Sequence, residues 1–199
     1  MGGTPVAAAL GEGAPGCQIA LHGFKKLCMN ARILVLVSAI VAAAALRLVP
    51  HPPNFTPIGA MALFSGAYLG RRWPSFVAPL AALLLSDAIL GFYQGMVFQY
   101  AAVALVVLVG WFGLQRVSAL KVGGAAVASS LLFFAISNLG VWLTSGMYPL
   151  TGAGLAACYV AAVPFFQNTL TSDLFYSAVL FGGFALLERA VPTLRAQPA

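Results

Sequence analysis

Apolar residues occupy most of the chain in six runs, separated by short connections that are basic or rich in proline and glycine. Because a transmembrane helix needs about 20 apolar residues, this pattern predicts six transmembrane helices. The last run, 155–187, is too long for one upright span, and Pro164 predicts a break, with a sixth helix at 165–187. The other five predicted helices are 33–48, 57–69, 76–92, 96–114 and 122–143.

The composition places the chain among all-α membrane proteins. Of its 199 residues, 61% are hydrophobic and only 7% are charged, which is too little charge for the surface of a soluble domain. We expect one transmembrane domain at 31–190. A tail at 1–30, rich in glycine, alanine and proline, is expected to be disordered, and a short cytoplasmic tail follows at 191–199.

The basic residues predict the orientation of the helices. With six spans, nine of the ten lysines and arginines fall on one side of the membrane, and only Arg47 falls on the other. Since basic loops stay in the cytoplasm, we expect a multi-pass membrane protein with both termini cytoplasmic. This orientation also accounts for the net charge of +6 without nucleic-acid binding. The nine residues are Lys25, Lys26, Arg32, Arg71, Arg72, Arg116, Lys121, Arg189 and Arg195.

Sequence motifs for metal or cofactor chemistry are missing. The three cysteines form no CxxC pair, and the chain contains no HExxH, no GxSxG and no glycine-rich phosphate loop with lysine. We therefore predict no metal site and no cofactor, and we expect the protein not to be an enzyme.

Two aspartates interrupt the apolar runs on the predicted outer side. At 1.5 Å per residue, Asp87 lies roughly 7–8 Å below the outer end of its helix and Asp173 roughly 12 Å below. A carboxylate in a membrane costs at least ~2.5 kcal/mol and normally faces a cavity or a partner. Other polar or interfacial side chains fall at the same level, so we predict an outward-facing pocket for a small molecule. They are Arg47, His51, Asn54, Asn138, Gln167 and Asn168, with Tyr93 and Trp142 stacking on or covering the ligand.

Other interpretations of these residues stay open. Asp87 pairs with Arg47 only to tie two helices together, or Asp173 caps backbone groups near the break at Pro164. In a different class, Asp87 and Asp173 act together in an intramembrane enzyme, or the chain is a structural subunit that transports nothing. In the first helix, Ala39 and Ala43 form a small-residue face that serves either internal packing or the docking of a partner subunit.

Three segments carry a resemblance to known proteins: HPPNFTPIGAMALFSGAYLG, PLAALLLSDAILGF and NTLTSDLFYS. Together with the six runs and the alanines of the first helix, they resemble an uncharacterised bacterial family assigned to transport. That family is itself similar to the substrate-binding S components of energy-coupling factor (ECF) vitamin transporters. The resemblance covers residues 32–188.

The resemblance implies an S-component-like bundle with a substrate site built from outer loops and outer helix ends. The substrate would be a vitamin or a related micronutrient. A membrane coupling subunit with two ATPases would dock on Ala39 and Ala43. Solitary cobalamin transporters of this type carry a histidine, an aspartate and a later cysteine. His51 and Asp87 match the first two, but residues 94–104 contain no cysteine.

Overall fold

The structure, a computed structural model, describes residues 31–70 and 73–195. Within these ranges the regular secondary structure is entirely helical, which confirms the predicted all-α class. The helices are α1 (Ala31–Leu48), α2 (Ile58–Tyr68), α3 (Pro74–Leu90), α4 (Met96–Gly113), α5 (Ala119–Thr144) and α6 (Gly152–Ala190). The last turn of α1, Leu46–Leu48, is a 3-10 helix, and another, Pro192–Leu194, follows α6.

Four of the helices, α1, α4, α5 and α6, are long and apolar enough to cross a membrane, whereas α2 and α3 are shorter apolar helices. This is the architecture of a membrane protein, and the number of spans stays a prediction. The predicted disordered tail at 1–30, the pair Arg71 and Arg72, and residues 196–199 lie outside the described residues.

The predicted break at Pro164 is wrong, because α6 continues through this residue. Proline cannot donate a hydrogen bond to the carbonyl group four residues earlier, so the helix needs support from its surroundings. Helix α5 supplies that support on both sides of the proline. The ring of Phe134 packs against Tyr159 before Pro164 and against Phe166 after it, with centroid distances of 5.6 and 5.0 Å.

Helix α2 forms the centre of the bundle. All of its residues from Ile58 to Gly66 are buried, and it contacts α3, α4, α5 and α6. A helix that is apolar all round has no face suited to water, which explains why its neighbours enclose it. The ring of Phe64 packs edge-to-face against Phe181 and Phe184 of α6, at centroid distances of 5.2 and 5.7 Å.

Contacts between distant residues define the two ends of the bundle. At the terminal end, where α1 begins and α6 ends, Arg32 pairs with Glu188 at 2.5 Å and also donates to the carbonyl group of Leu194. The guanidinium group of Arg32 lies 5.0 Å from the ring centroid of Phe184. The opposite end, called the loop end below, carries the connections 49–57, 91–95 and 145–151.

The alanine face of α1 points into the bundle. Ala43 is only 4% exposed and belongs to the hydrophobic core, and Ala39 is partly buried against that core. Internal packing therefore accounts for Ala43, and the docking of a partner on Ala39 and Ala43 stays a prediction. Ser38 and Ala42, each one position earlier in the helix, are exposed.

Two glycines let α2 and α4 touch backbone to backbone. A Cβ atom added at Gly110 would lie 2.5 Å from the carbonyl oxygen of Leu63, and one added at Gly66 would lie closer still to the carbonyl oxygen of Val107. Both distances are too short for a side chain, so the two helices must separate if either glycine is replaced.

Replacing Gly110 with alanine should therefore destabilise the protein by ~1–3 kcal/mol, the usual cost of overpacking a core. Equilibrium unfolding in mixed micelles measures the effect. Gly124→Ala is the matched control, because a Cβ atom there meets nothing within 4 Å. Equal stability of the Gly110 and Gly124 variants would contradict the close crossing of α2 and α4.

Candidate ligand-binding cavity

A cavity of about 390 Å³ lies at the loop end of the bundle. Its walls come from the last turn of α1, the 49–57 connection, the first turn of α2, the 91–95 connection, α4, α5 and α6. Six of the predicted site residues line it. They are Arg47, His51, Asn54, Tyr93, Asn138 and Asp173.

The other four predicted site residues do not line the cavity. Trp142 donates from Nε1 to the carbonyl group of Pro149 at 3.0 Å, which ties the end of α5 to the 145–151 connection. Asn168 donates from Nδ2 to the carbonyl group of Pro53 at 2.9 Å and so anchors the 49–57 connection to α6. Gln167 is exposed on the surface of α6, and Asp87 lies behind Arg47. These four residues therefore either support the wall of the cavity from behind or lie away from the cavity.

The carboxyl group of Asp87 binds Arg47, as one of the two interpretations of this residue predicted. Arg47 Nη1 lies 2.8 Å from Asp87 Oδ1 and 2.5 Å from Ser86 Oγ, and Tyr100 donates its hydroxyl to Asp87 Oδ2 at 2.9 Å. The Asp87 side chain is 1% exposed, so its charge is compensated by these neighbours instead of by water. Asp87 thus joins α1, α3 and α4 and holds Arg47 at the cavity wall.

The carboxyl group of Asp173 lies at the start of α2. Ser130 of α5 donates to Asp173 Oδ2 at 2.7 Å, and the backbone N–H of Ala60, in the first turn of α2, donates to the same carboxyl group. The first N–H groups of a helix have no partner within it, so Asp173 supplies one from another helix. The predicted capping near Pro164 is therefore wrong, and the capped helix is α2.

Gly59 makes this approach possible. A Cβ atom at position 59 would lie 2.8 Å from Cγ of Asp173, so any larger residue would displace the carboxyl group. Asp173 is 2% exposed, yet it lines the cavity together with Gly59. The same carboxyl group thus caps a buried helix and faces the space in which a ligand would bind.

Sequence reasoning missed several lining residues, although helical spacing could have identified them. Phe134, Ser137 and Val141 lie on the same face of α5 as Asn138, and Ala162, Phe165 and Thr169 lie on the same face of α6 as Asp173. These positions recur every three or four residues, as neighbours on one face of a helix do. The signal was present in the sequence, but it could be used only once the inward side of each helix was known.

Two glycines shape the connection that brings Tyr93 and Gln94 to the cavity. Gly91 and Gly95 have φ values of 98° and 82°, a region that suits glycine. The hydroxyl of Tyr93 donates to Oε1 of Gln99, and burial, with a further contribution from Asp87, raises the pKa of Tyr93 to about 12. Tyr93 is therefore a neutral hydrogen-bond donor at physiological pH.

A model of DUF6580, a family of unknown function, matches residues 28–194. The chain belongs to this family. No curated protein and no solved structure matches the chain. The matched segment contains all six helices and every residue that lines the cavity, so the cavity is built within the family's own domain.

The arrangement is suited to holding a molecule by hydrogen bonds and aromatic contacts. Amide groups of Gln94, Gln99 and Asn138 and hydroxyl groups of Ser137 and Thr169 line the space. Within residues 31–70 and 73–195, no three His, Cys, Asp or Glu side chains cluster as metal ligands. In the described hydrogen bonds, Asp87 and Asp173 have different partners. These bonds therefore do not join the two carboxyl groups into a pair.

The buried ion pair at the cavity wall should show strong coupling in a double-mutant cycle. Removing one partner of such a pair costs ~3–5 kcal/mol, because the other charge stays buried. We expect Asp87→Leu and Arg47→Met each to be destabilised in mixed-micelle unfolding. The double variant should be more stable than the sum of the single effects predicts, by at least ~1 kcal/mol.

The matched control is the Arg32–Glu188 pair, whose side chains are 15% and 25% exposed. Because solvent screens partly exposed charges, Arg32→Met and Glu188→Met should show a smaller coupling energy. A coupling energy near zero for Asp87 and Arg47 would mean that the pair does not hold the three helices together.

Proposed function

We propose that this protein is a membrane transport protein that binds a small organic solute in the cavity at the loop end. One observation carries the proposal: a cavity of about 390 Å³ that combines polar and aromatic walls at one end of an apolar bundle. This volume falls within the ~300–1,000 Å³ of typical small-molecule sites, which mix apolar walls with a few placed polar groups. By its resemblance to S components, the solute would be a vitamin or a related micronutrient.

The proposed orientation puts the loop end outside and both termini in the cytoplasm of a bacterial inner membrane, with six spans. In its support, the described basic residues Arg32, Arg116, Lys121, Arg189 and Arg195 belong to the terminal end, and Arg47 alone belongs to the loop end. A solute would then enter from the extracellular side. Helix α6, with 39 residues, would be roughly 58 Å long if straight and so exceeds the thickness of the apolar layer.

By its resemblance to S components, the protein would act with a coupling subunit and two ATPases, and the chain contains no nucleotide-binding motif of its own. The contact with such a subunit would use the side of α1 that exposes Ser38 and Ala42, next to the partly buried Ala39, because Ala43 is buried. Small residues on that side would let a partner helix approach closely.

Solute binding accounts for the site better than the two rival functions do. An intramembrane enzyme that uses Asp87 and Asp173 needs both carboxyl groups at the substrate, but Asp87 is bound to Arg47 and Tyr100 away from the cavity. A purely structural subunit would have no need for a space lined by amide, hydroxyl and carboxyl groups. We therefore propose that the protein is not an enzyme.

Blocking the cavity tests the proposal directly. We expect native mass spectra of the parent to show a bound small molecule. Ser137 lines the space, so Ser137→Trp should fill it and remove that molecule. The matched control is Ser38→Trp, on the exposed side of α1. Both variants should keep the apparent melting temperature of the parent. Equal retention of the small molecule by both would rule out the cavity as its site.

Cysteine labelling of intact cells tests the orientation. In a variant whose three cysteines are replaced, His51→Cys at the loop end should react with a membrane-impermeant maleimide. Arg116→Cys, in the connection between α4 and α5, should react only after the cells are made permeable. The reverse pattern would invert the orientation, and labelling of both in intact cells would contradict the six-span arrangement.

A further inference from the structure

Three carboxyl groups are described in the structure, and they differ in how their charge is balanced. Asp87 pairs with Arg47 at 2.8 Å, and Glu188 pairs with Arg32 at 2.5 Å. Asp173 has no cationic partner among the described residues, although it is as deeply buried as Asp87. The protein therefore encloses one carboxyl group whose countercharge does not come from the described part of the chain.

The hydrogen bonds of Asp173 compensate its charge only in part. It accepts from the hydroxyl of Ser130 and from the backbone N–H of Ala60. A carboxylate has about four lone-pair positions, so two donors leave positions open. The partial positive charge at the start of α2 helps, but it is equivalent to only about half an elementary charge. A hydrogen-bond donor or a positive charge on the side that faces the cavity would complete the compensation.

Aromatic rings line the same cavity. Phe133 and Phe134 of α5 and Phe165 of α6 contribute to its walls, together with Asp173. The face of an aromatic ring attracts a cation, so rings and a carboxylate around one space form a combined site for a positive charge on an organic body. Neither feature favours an anion.

The other charged group at the wall does not reverse this preference. Arg47 donates from Nη1 to Asp87 and to Ser86, so its charge is neutralised by a buried partner. His51 lies on the exposed 49–57 connection, with Nδ1 2.9 Å from the carbonyl oxygen of Pro52. Asp173 is thus the one carboxyl group among the described lining residues, and it forms no ion pair with them.

We propose that the cavity binds an organic cation whose protonated nitrogen contacts the carboxyl group of Asp173 and whose apolar body lies against Phe133, Phe134 and Phe165. This inference rests on the proposed solute-binding function and names the chemical class of the solute. It gives Asp173 two roles, because its hydrogen bond from Ala60 caps α2 while its remaining lone pairs face the ligand.

A set of three matched probes tests the charge preference: 2-phenylethylammonium, 2-phenylethanol and 3-phenylpropionate. Binding is measured by saturation-transfer NMR with the full chain in nanodiscs of zwitterionic lipid. Empty nanodiscs and the blocked Ser137→Trp variant report partitioning into lipid. We expect the ammonium probe to bind the parent at least about tenfold more tightly than the alcohol, because only the ammonium group adds the attraction between opposite charges to its hydrogen bond with the carboxylate.

Asp173→Asn is the decisive variant. Asparagine has the same shape, and its carbonyl oxygen still accepts from Ala60, so α2 keeps its cap and the apparent melting temperature reports intact folding. The preference for the ammonium probe over the alcohol should be lost, because only the ammonium group forms an ion pair with the carboxylate. Glu188→Gln, at the terminal end, is the matched control and should keep the preference.

The outcomes separate this inference from the function on which it rests. If the alcohol or the carboxylate binds in the cavity as tightly as the ammonium probe, or if the preference survives Asp173→Asn, the cation inference is overturned and solute binding stands. If no probe shows binding that Ser137→Trp abolishes, the cation inference is overturned, and the native mass spectra of the parent and the Ser137→Trp variant decide on the solute-binding function separately.

Discussion

The N–H groups in the first turn of α2 need hydrogen-bond acceptors although the residues there are buried. This helix is enclosed by its neighbours from its first residue, and the N–H groups of a helix start have no partner within the helix. In an apolar surrounding, each such group costs several kcal/mol when unsatisfied. The carboxyl group of Asp173, from α6, accepts from Ala60, and Gly59 leaves the space for its approach. The position of α6 beside α2 and the polar floor of the cavity therefore depend on the same contact.

Two aspartates with the same local sequence, serine followed by aspartate in an apolar run, have different roles. Asp87 forms an ion pair with Arg47 and joins α1 to α3 and α4, so its charge is neutralised within the protein. Asp173 has hydrogen bonds but no ion pair among the described residues, and it borders the cavity. A buried carboxylate is costly in either case, and the difference lies in whether a cation of the chain or an external group completes the compensation.

Helix α2 makes both a close backbone contact with α4 and a contact with the buried carboxyl group of Asp173. At its start α2 carries Gly59 against Asp173, and near its end it carries Gly66 against α4. The small residues let two other helices approach α2, with α6 near the cavity where α2 begins and α4 near the end of α2. This distribution explains why a short helix with no polar face can organise both the core and the site.

The sequence by itself determined the helical class, the approximate bounds of α1 to α5 and the level at which the polar residues gather. A transmembrane helix needs a minimum number of apolar residues, and a polar group within it is too costly to occur at random. The length of a run and the position of a polar residue are both properties of the local sequence, so they can be read along the chain. Only the tertiary structure decided which side of each helix faces inward. Ala43 of α1 packs in the core, and Pro164 is accommodated because α5 supports α6 on both sides. Trp142 and Asn168 bind backbone carbonyl groups instead of lining the cavity. Those outcomes depend on neighbours that are distant in sequence, because packing contacts and buried countercharges are properties of the assembled bundle.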